Sequence, residues 1–170
     1  MKIFLDTADT EQIKKYFETG LVDGVTTNPS LIRKSGRDPN EVYREIRDIG
    51  ITDISMEVVG DTEEMYQQAM QLYAEFKEVC TVKLPCTPDG LKVCRRLSEV
   101  GIRTNVTLIF SAAQAILAAK AGATYVSPFI GRYDDNSISG LELIRSITAI
   151  YQVQGVQTQV LAASLRDVYK

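Results

Sequence analysis

Lys83 stands in the run Cys80-Thr81-Val82-Lys83-Leu84-Pro85, whose alternation predicts a buried β-strand. An ammonium removed from water is costly unless paired, and desolvation lowers its pKa. Such a lysine is either one half of a structural ion pair or a nucleophilic amine that can form a Schiff base with a carbonyl. The other residues able to do chemistry fall near the ends of further β-type runs: Asp6, Thr26 and Asn28, Ser55 and Glu57, Asn105 and Thr107, Ser127, then Ser164 followed by Arg166. Same-strand pairs are two residues apart, so both side chains share a face. If that face turns inward, two carboxylates, two amides and several hydroxyls converge on one lysine. Taken singly, Ser55, Thr26 or Ser127 is better explained as a strand-end hydrogen-bond or turn former.

The chain contains no histidine, which removes Ser-His and Cys-His nucleophile pairs and His-ligated zinc. Acid–base work then falls to Asp, Glu, Lys, Tyr or a Thr-bound water. Cys80, Cys86 and Cys94 have no paired-CxxC metal spacing, and no leader-like pattern precedes Met1-Lys2-Ile3-Phe4-Leu5-Asp6. A reducing cytoplasm is the expected location. Net charge is −3 with dispersed basic residues, so neither nucleic acid nor a membrane surface is an expected partner. No apolar run approaches a transmembrane span.

Elements that must position these residues follow a β-α-β rhythm. Strands are expected at 2–6, 24–28, 53–58, 80–84, 103–109, 124–130 and 157–163, as repeating parallel units require. Asp61-Thr62-Glu63-Glu64, Ser111-Ala112-Ala113-Gln114 and Ser139-Gly140-Leu141-Glu142 read as capping boxes, and Pro39 and Pro88 suit first-turn positions. Gly50, Gly101, Gly122 and Gly155 close helices and lead into strands. Core stripes are expected along Met65, Ala69, Leu72, Tyr73 and Phe76, and along Leu91, Cys94, Leu97 and Val100. Nothing in the composition divides residues 1–170 into more than one domain.

Seven motifs carry a specific resemblance: Asp6-Thr7-Ala8, Thr26-Thr27-Asn28-Pro29-Ser30-Leu31-Ile32, Met56-Glu57-Val58, Val82-Lys83-Leu84-Pro85, Asn105-Val106-Thr107-Leu108-Ile109-Phe110-Ser111, Ser127-Pro128-Phe129-Ile130-Gly131-Arg132 and Ala163-Ser164-Leu165-Arg166. In this order they resemble the transaldolase family, in particular its small members, which include fructose-6-phosphate aldolases. The resemblance implies a (β/α)8 TIM-barrel fold, no metal or organic cofactor, sugar phosphates as substrates, and a ring-based homo-oligomer, commonly a decamer.

Carried over residue by residue, it implies that Lys83 forms the Schiff base with the C2 carbonyl of a ketose phosphate and that Asp6 is the general base at the C4 hydroxyl. Glu57 and Thr107 are implied to position a catalytic water. Thr26, Asn28, Asn105, Ser127 and Phe129 line the substrate site, with the two amides on the dihydroxyacetone hydroxyls. Arg132, Ser164 and Arg166 resemble a phosphate clamp, for which guanidinium forks are suited. Fructose-6-phosphate aldolases carry glutamine where Glu57 stands and tyrosine where Phe129 stands. The implied activity is therefore transaldolase, the transfer of dihydroxyacetone in the pentose phosphate pathway, with fructose-6-phosphate aldolase as the alternative.

The sequence ends at Lys170, before an eighth strand and helix. Closed barrels of this kind usually need at least roughly 200 residues. The expectation is a C-terminally short barrel of about seven βα units, whose exposed sheet edges and apolar surface require cover. A non-catalytic partial barrel serving as an assembly module is the alternative from a different class.

Overall fold

The computed structural model describes residues 1–136 and 139–166, and the side chain of residue 35 is outside that description. Strands and helices alternate from the start. They are β1 (Phe4–Asp6), α1 (Thr10–Phe17), β2 (Gly24–Thr26), α2 (Pro29–Ser35), α3 (Pro39–Ile49), β3 (Ile54–Glu57), α4 (Thr62–Phe76), a 3₁₀ turn (Lys77–Val79), β4 (Cys80–Pro85), α5 (Pro88–Glu99), β5 (Thr104–Ile109), α6 (Ala112–Lys120), β6 (Tyr125–Pro128), α7 (Ile130–Asp134), α8 (Gly140–Gln154) and β7 (Gln159–Val160). The sheet order is β1-β2-β3-β4-β5-β6-β7. The registers are parallel, with Phe4 opposite Gly24, Val25 opposite Ile54, Asn105 opposite Tyr125 and Val126 opposite Val160. This is the α/β order of a TIM barrel through seven strands, as the β-α-β rhythm predicts.

All seven expected strands form, though several are shorter than expected. Asn28 lies outside β2 because its side chain caps α2, and Phe129 lies beyond β6, directly before α7. One of the expected capping boxes is complete, and a second forms with its return bond on the residue before the cap. Asp61 Oδ1 accepts from the amides of Glu63 and Glu64 while Glu64 Oε2 accepts from the Asp61 amide, and Ser111 Oγ accepts from Gln114 while Gln114 Oε1 accepts from Phe110. The third is not made. Ser139 precedes α8 without a side-chain capping bond, and Asp134 Oδ1 accepts instead from the amide of Gly140. Pro39 and Pro88 do open α3 and α5.

The chain clusters into two compact units, the first comprising Met1–Val58 with Gln67–Val82, the second Val59–Tyr66 with Lys83 onward. In the first, Ile13, Val25, Val42, Ile46, Ile54 and Met56 are fully buried, and the Tyr43 and Phe76 rings meet edge to face at 5.9 Å. In the second, Leu84, Val93, Leu97, Val106, Ile109, Val126 and Ile147 are buried. The α5 stripe stops at Leu97, because Val100 is the cap residue where the helix ends and its side chain is exposed. Among the described residues, no helix is long and apolar enough to cross a membrane.

The pairing of β5 with β6 is irregular near its end. Val106 is opposite Val126 but Ile109 is opposite Pro128, so β5 advances three residues while β6 advances two. Leu108 absorbs the extra residue with a φ of 61°. For a bulky L-residue this left-handed conformation costs about 1–2 kcal/mol.

Candidate active site

In the first unit, three of the expected residues occupy the ends of β1 and β2. Asp6 Oδ1 accepts a 2.9 Å hydrogen bond from Thr26 Oγ1, across the register that places those two residues opposite each other. Asn28 Oδ1 caps α2 through the Leu31 amide at 2.9 Å. The cap fixes the side-chain amide while using only its oxygen, and Pro29 at the first helical position suits the same geometry. Glu57 ends β3 half-buried, two residues after the fully buried Ser55.

Behind them lies a pair that parity arguments passed over. Thr27 Oγ1 donates to the Ser55 carbonyl at 3.0 Å and meets Tyr43 Oη at 3.4 Å. Burial pushes the Tyr43 phenol up to about 12; the Thr27 hydrogen bond opposes that shift and the Glu57 carboxylate adds to it. The only sequence signal for Thr27 is a second threonine in the Thr-Thr-Asn run, on the strand face opposite Thr26.

Lys83, which opens the second unit, is 6% exposed on β4. The expectation of a buried lysine is thus met. Along β5 and β6, Asn105, Thr107 and Ser127 are all buried, and Ser127 Oγ lies 2.8 Å from Asn105 Oδ1. That bond orients the amide with its oxygen toward the serine. Thr107 holds the Cys86 amide through its carbonyl at 3.0 Å, whereas its buried Oγ1 has no hydrogen-bond partner among the described residues. A buried hydroxyl left in that state is poised for a water or a ligand.

The remaining candidates follow β6 and β7. Phe129 packs edge to face on Phe110 with centroids 5.8 Å apart. Both line a pocket of about 600 Å³ with Leu108, Arg132, Tyr133 and Asn136. Tyr133 Oη donates to the Phe110 carbonyl, which ties α7 to the end of β5. Arg132 is exposed. Ser164, with a φ of 61°, accepts from Arg166 Nη1 at 3.0 Å. The rest of the Arg166 fork grips Asp135 at 3.1 and 2.7 Å, a partner the sequence motifs did not reveal. This hydrogen bond holds the Asp135 carboxyl below its ordinary range and raises the guanidinium correspondingly.

The structure therefore joins Asp6 with Thr26, Asn105 with Ser127, Ser164 with Arg166, and Phe129 with Arg132. Size does not mark the site. A larger cavity of about 820 Å³ opens among Ile116, Lys120, Tyr151, Gln154 and Thr158, and no candidate residue lines it.

Known proteins resemble the chain closely. Residues 3–170 match the family model described as Transaldolase/Fructose-6-phosphate aldolase. A protein named probable transaldolase from Roseobacter denitrificans is 56% identical over 169 residues, covering 99% of this chain and 77% of that protein. Proteins of the same name from Geobacter metallireducens and Methanococcus vannielii are each 54% identical, over 168 and 167 residues, covering 98% of this chain and 78% and 77% of their own lengths. Among solved structures, a mandelate racemase/muconate lactonizing protein from Herpetosiphon aurantiacus superposes with a TM-score of 0.62 at 13% identity, covering 96% of this chain and 46% of that one. At that identity the likeness concerns the fold alone.

Proposed function

The chain belongs to the transaldolase/fructose-6-phosphate aldolase family, and from that premise we propose that it is a transaldolase acting through a Schiff base on Lys83. The observation that carries the proposal is the burial of Lys83 on β4. Withdrawal from water is one of the ways a lysine amine is made nucleophilic.

The amine adds to the C2 carbonyl of fructose 6-phosphate or sedoheptulose 7-phosphate, and the carbinolamine loses water to give an iminium ion. Asp6 takes the C4 hydroxyl proton, the C3–C4 bond breaks toward the iminium, and an aldose phosphate leaves. The remaining enamine carbon attacks glyceraldehyde 3-phosphate or erythrose 4-phosphate, and Asp6 returns its proton to the new hydroxyl. Water held by Glu57 and Thr107 then hydrolyses the iminium and restores the lysine.

Asn28, Asn105 and Ser127 hold the dihydroxyacetone hydroxyls, while Thr26 steadies Asp6. Arg132, Ser164 and Arg166 bind the phosphate, for which the Asp135 carboxylate on Arg166 is a chemically similar occupant. Glu57 and Phe129 favour transfer over simple aldol cleavage. The same reading places the protein in the cytoplasm, as a ring-based homo-oligomer such as a decamer, serving the pentose phosphate pathway.

Borohydride reduction in the presence of fructose 6-phosphate, with intact mass and peptide mapping, tests the assignment. One adduct at Lys83, absent from Lys83→Met, is the expected result. A folded sample that takes no adduct would favour the assembly-module reading. Cleavage of fructose 6-phosphate that runs faster without an acceptor aldehyde than transfer does with one would instead identify a fructose-6-phosphate aldolase.

A further inference from the structure

We propose that the left-handed bulge at Leu108 is a positioning device for the Thr107 hydroxyl, an inference that rests on the reading of Thr107 as a water-holding residue. Three observations in one short stretch meet here. β5 carries one residue more than β6 between Val106 and Ile109, so Thr107 and Leu108 together oppose the single residue Ser127. Leu108 takes up that residue at a φ of 61°. Thr107 Oγ1, immediately before it, is buried without a hydrogen-bond partner among the described residues.

Regular alternation would carry the face of Asn105 and Thr107 on to Ile109. A bulge breaks that sequence and re-aims the side chains beside it. Both flanks are anchored. The Thr107 carbonyl accepts from Cys86 at 3.0 Å and the Ile109 carbonyl accepts from Phe129 at 3.0 Å, so the distortion is confined to the residue between them. A strained residue persists where its surroundings fix it, and such residues gather at functional sites. The Leu108 side chain itself is 40% exposed, so core burial is not what holds the backbone there.

The test compares substitutions by their tolerance of positive φ. Glycine adopts it freely, asparagine tolerates it, and valine resists it. Leu108→Gly and Leu108→Asn are expected to keep kcat within ~3-fold of the native value, whereas Leu108→Val loses ~10-fold or more with little change in KM, since small misplacements of a catalytic group have effects of that size. In a Thr107→Ala background the valine substitution is expected to add no further loss.

If Leu108→Val does not fold, Leu108→Ile takes its place. Isoleucine keeps the volume of leucine but its β-branch resists positive φ as valine does, so its kcat should fall below that of the glycine variant. Equal losses in the glycine and valine variants, or in the glycine and isoleucine variants, would assign the effect to the leucine side chain and overturn the proposal. A native kcat in Leu108→Val would overturn it too. Borohydride trapping of the native protein separates the two layers: failure to trap at Lys83 removes the underlying reading and the inference with it. Trapping with no distinction among the Leu108 variants removes the inference alone.

Discussion

The strand ends of β1 and β2 and those of β5 to β7 meet their polar obligations in opposite ways. In the first unit, Asp6 is held by Thr26, Thr27 by the Ser55 carbonyl and Asn28 by the amide of Leu31. These bonds need no unusual strand geometry. The positive-φ non-glycine residue of that unit, Lys77, belongs to a turn. In the second unit, Leu108 and Ser164 both adopt a φ of 61°, one beside Thr107 and the other bonded to Arg166. The ends of β1 and β2 thus rest on satisfied local bonds, while the end of β5 and the segment after β7 are shaped partly against backbone preference. Conformations of that kind typically cost about 1–3 kcal/mol each.

The most forceful way to probe the strained side is Gly131→Ala. A Cβ there would stand 1.9 Å from the Ser164 carbonyl oxygen and 3.0 Å from the Arg166 guanidinium carbon. Backbone cannot yield as a flexible side chain does, so the expected destabilisation is about 2–3 kcal/mol. If the Ser164–Arg166 segment binds phosphate, KM for a phosphorylated donor should also rise by ~10-fold, or about 1.4 kcal/mol. Calorimetry and donor titration read the two effects separately. A variant with native Tm and native KM would show that the segment moves easily, and the contrast between the units would weaken.

On the satisfied side, the largest effect is expected from pH. Burial raises Tyr43 to about 12 from an ordinary value near 10. The folded form therefore holds this proton more tightly than the unfolded chain does. Its contribution is complete below pH 10 and is lost as pH rises toward 12, a change of roughly 2–3 kcal/mol. Urea denaturation at stepped alkaline pH should show that loss, and Tyr43→Phe should reduce the slope. Tyr151, also pushed up to about 12 by burial, leaves a remainder. An unchanged slope in Tyr43→Phe would mean that burial of the Tyr43 phenol contributes no such linkage.

Much of this organisation was legible because it depends on short-range chemistry. The Asp61 and Ser111 boxes and Pro39 and Pro88 act within a turn or two, and each formed as its residues dictate. Lys83 was readable as buried because the alternation of Cys80, Val82 and Leu84 around it marks a strand that lies within the core. Ser139 misled because a sequence pattern cannot show that Asp134, six residues before Gly140, supplies the capping oxygen. The Leu108 bulge was hidden for a similar reason: it exists only in the count of one strand against another. Asp135 and Tyr43 belong to this class as well, since each gains its significance from a residue distant in sequence.

The smallest effect expected on the satisfied side is that of Thr26→Val. Valine keeps the β-branched shape and so the strand, but it removes the hydroxyl that donates to Asp6 at 2.9 Å. Asp6 is exposed and Thr26 half-buried, so water can replace much of the bond. A stability loss of about 0.5–1 kcal/mol follows. If Asp6 is the base, losing an orienting donor should lower kcat by a few-fold and leave KM unchanged. The two readouts then distinguish roles that the geometry alone leaves superposed. A stability loss with unaltered kcat would make the Asp6–Thr26 bond a strand fastening. A fall in kcat comparable with that of an Asp6→Ala control would place Thr26 in direct contact with the reacting atoms, and the first unit could no longer be described as merely holding its carboxylates in place.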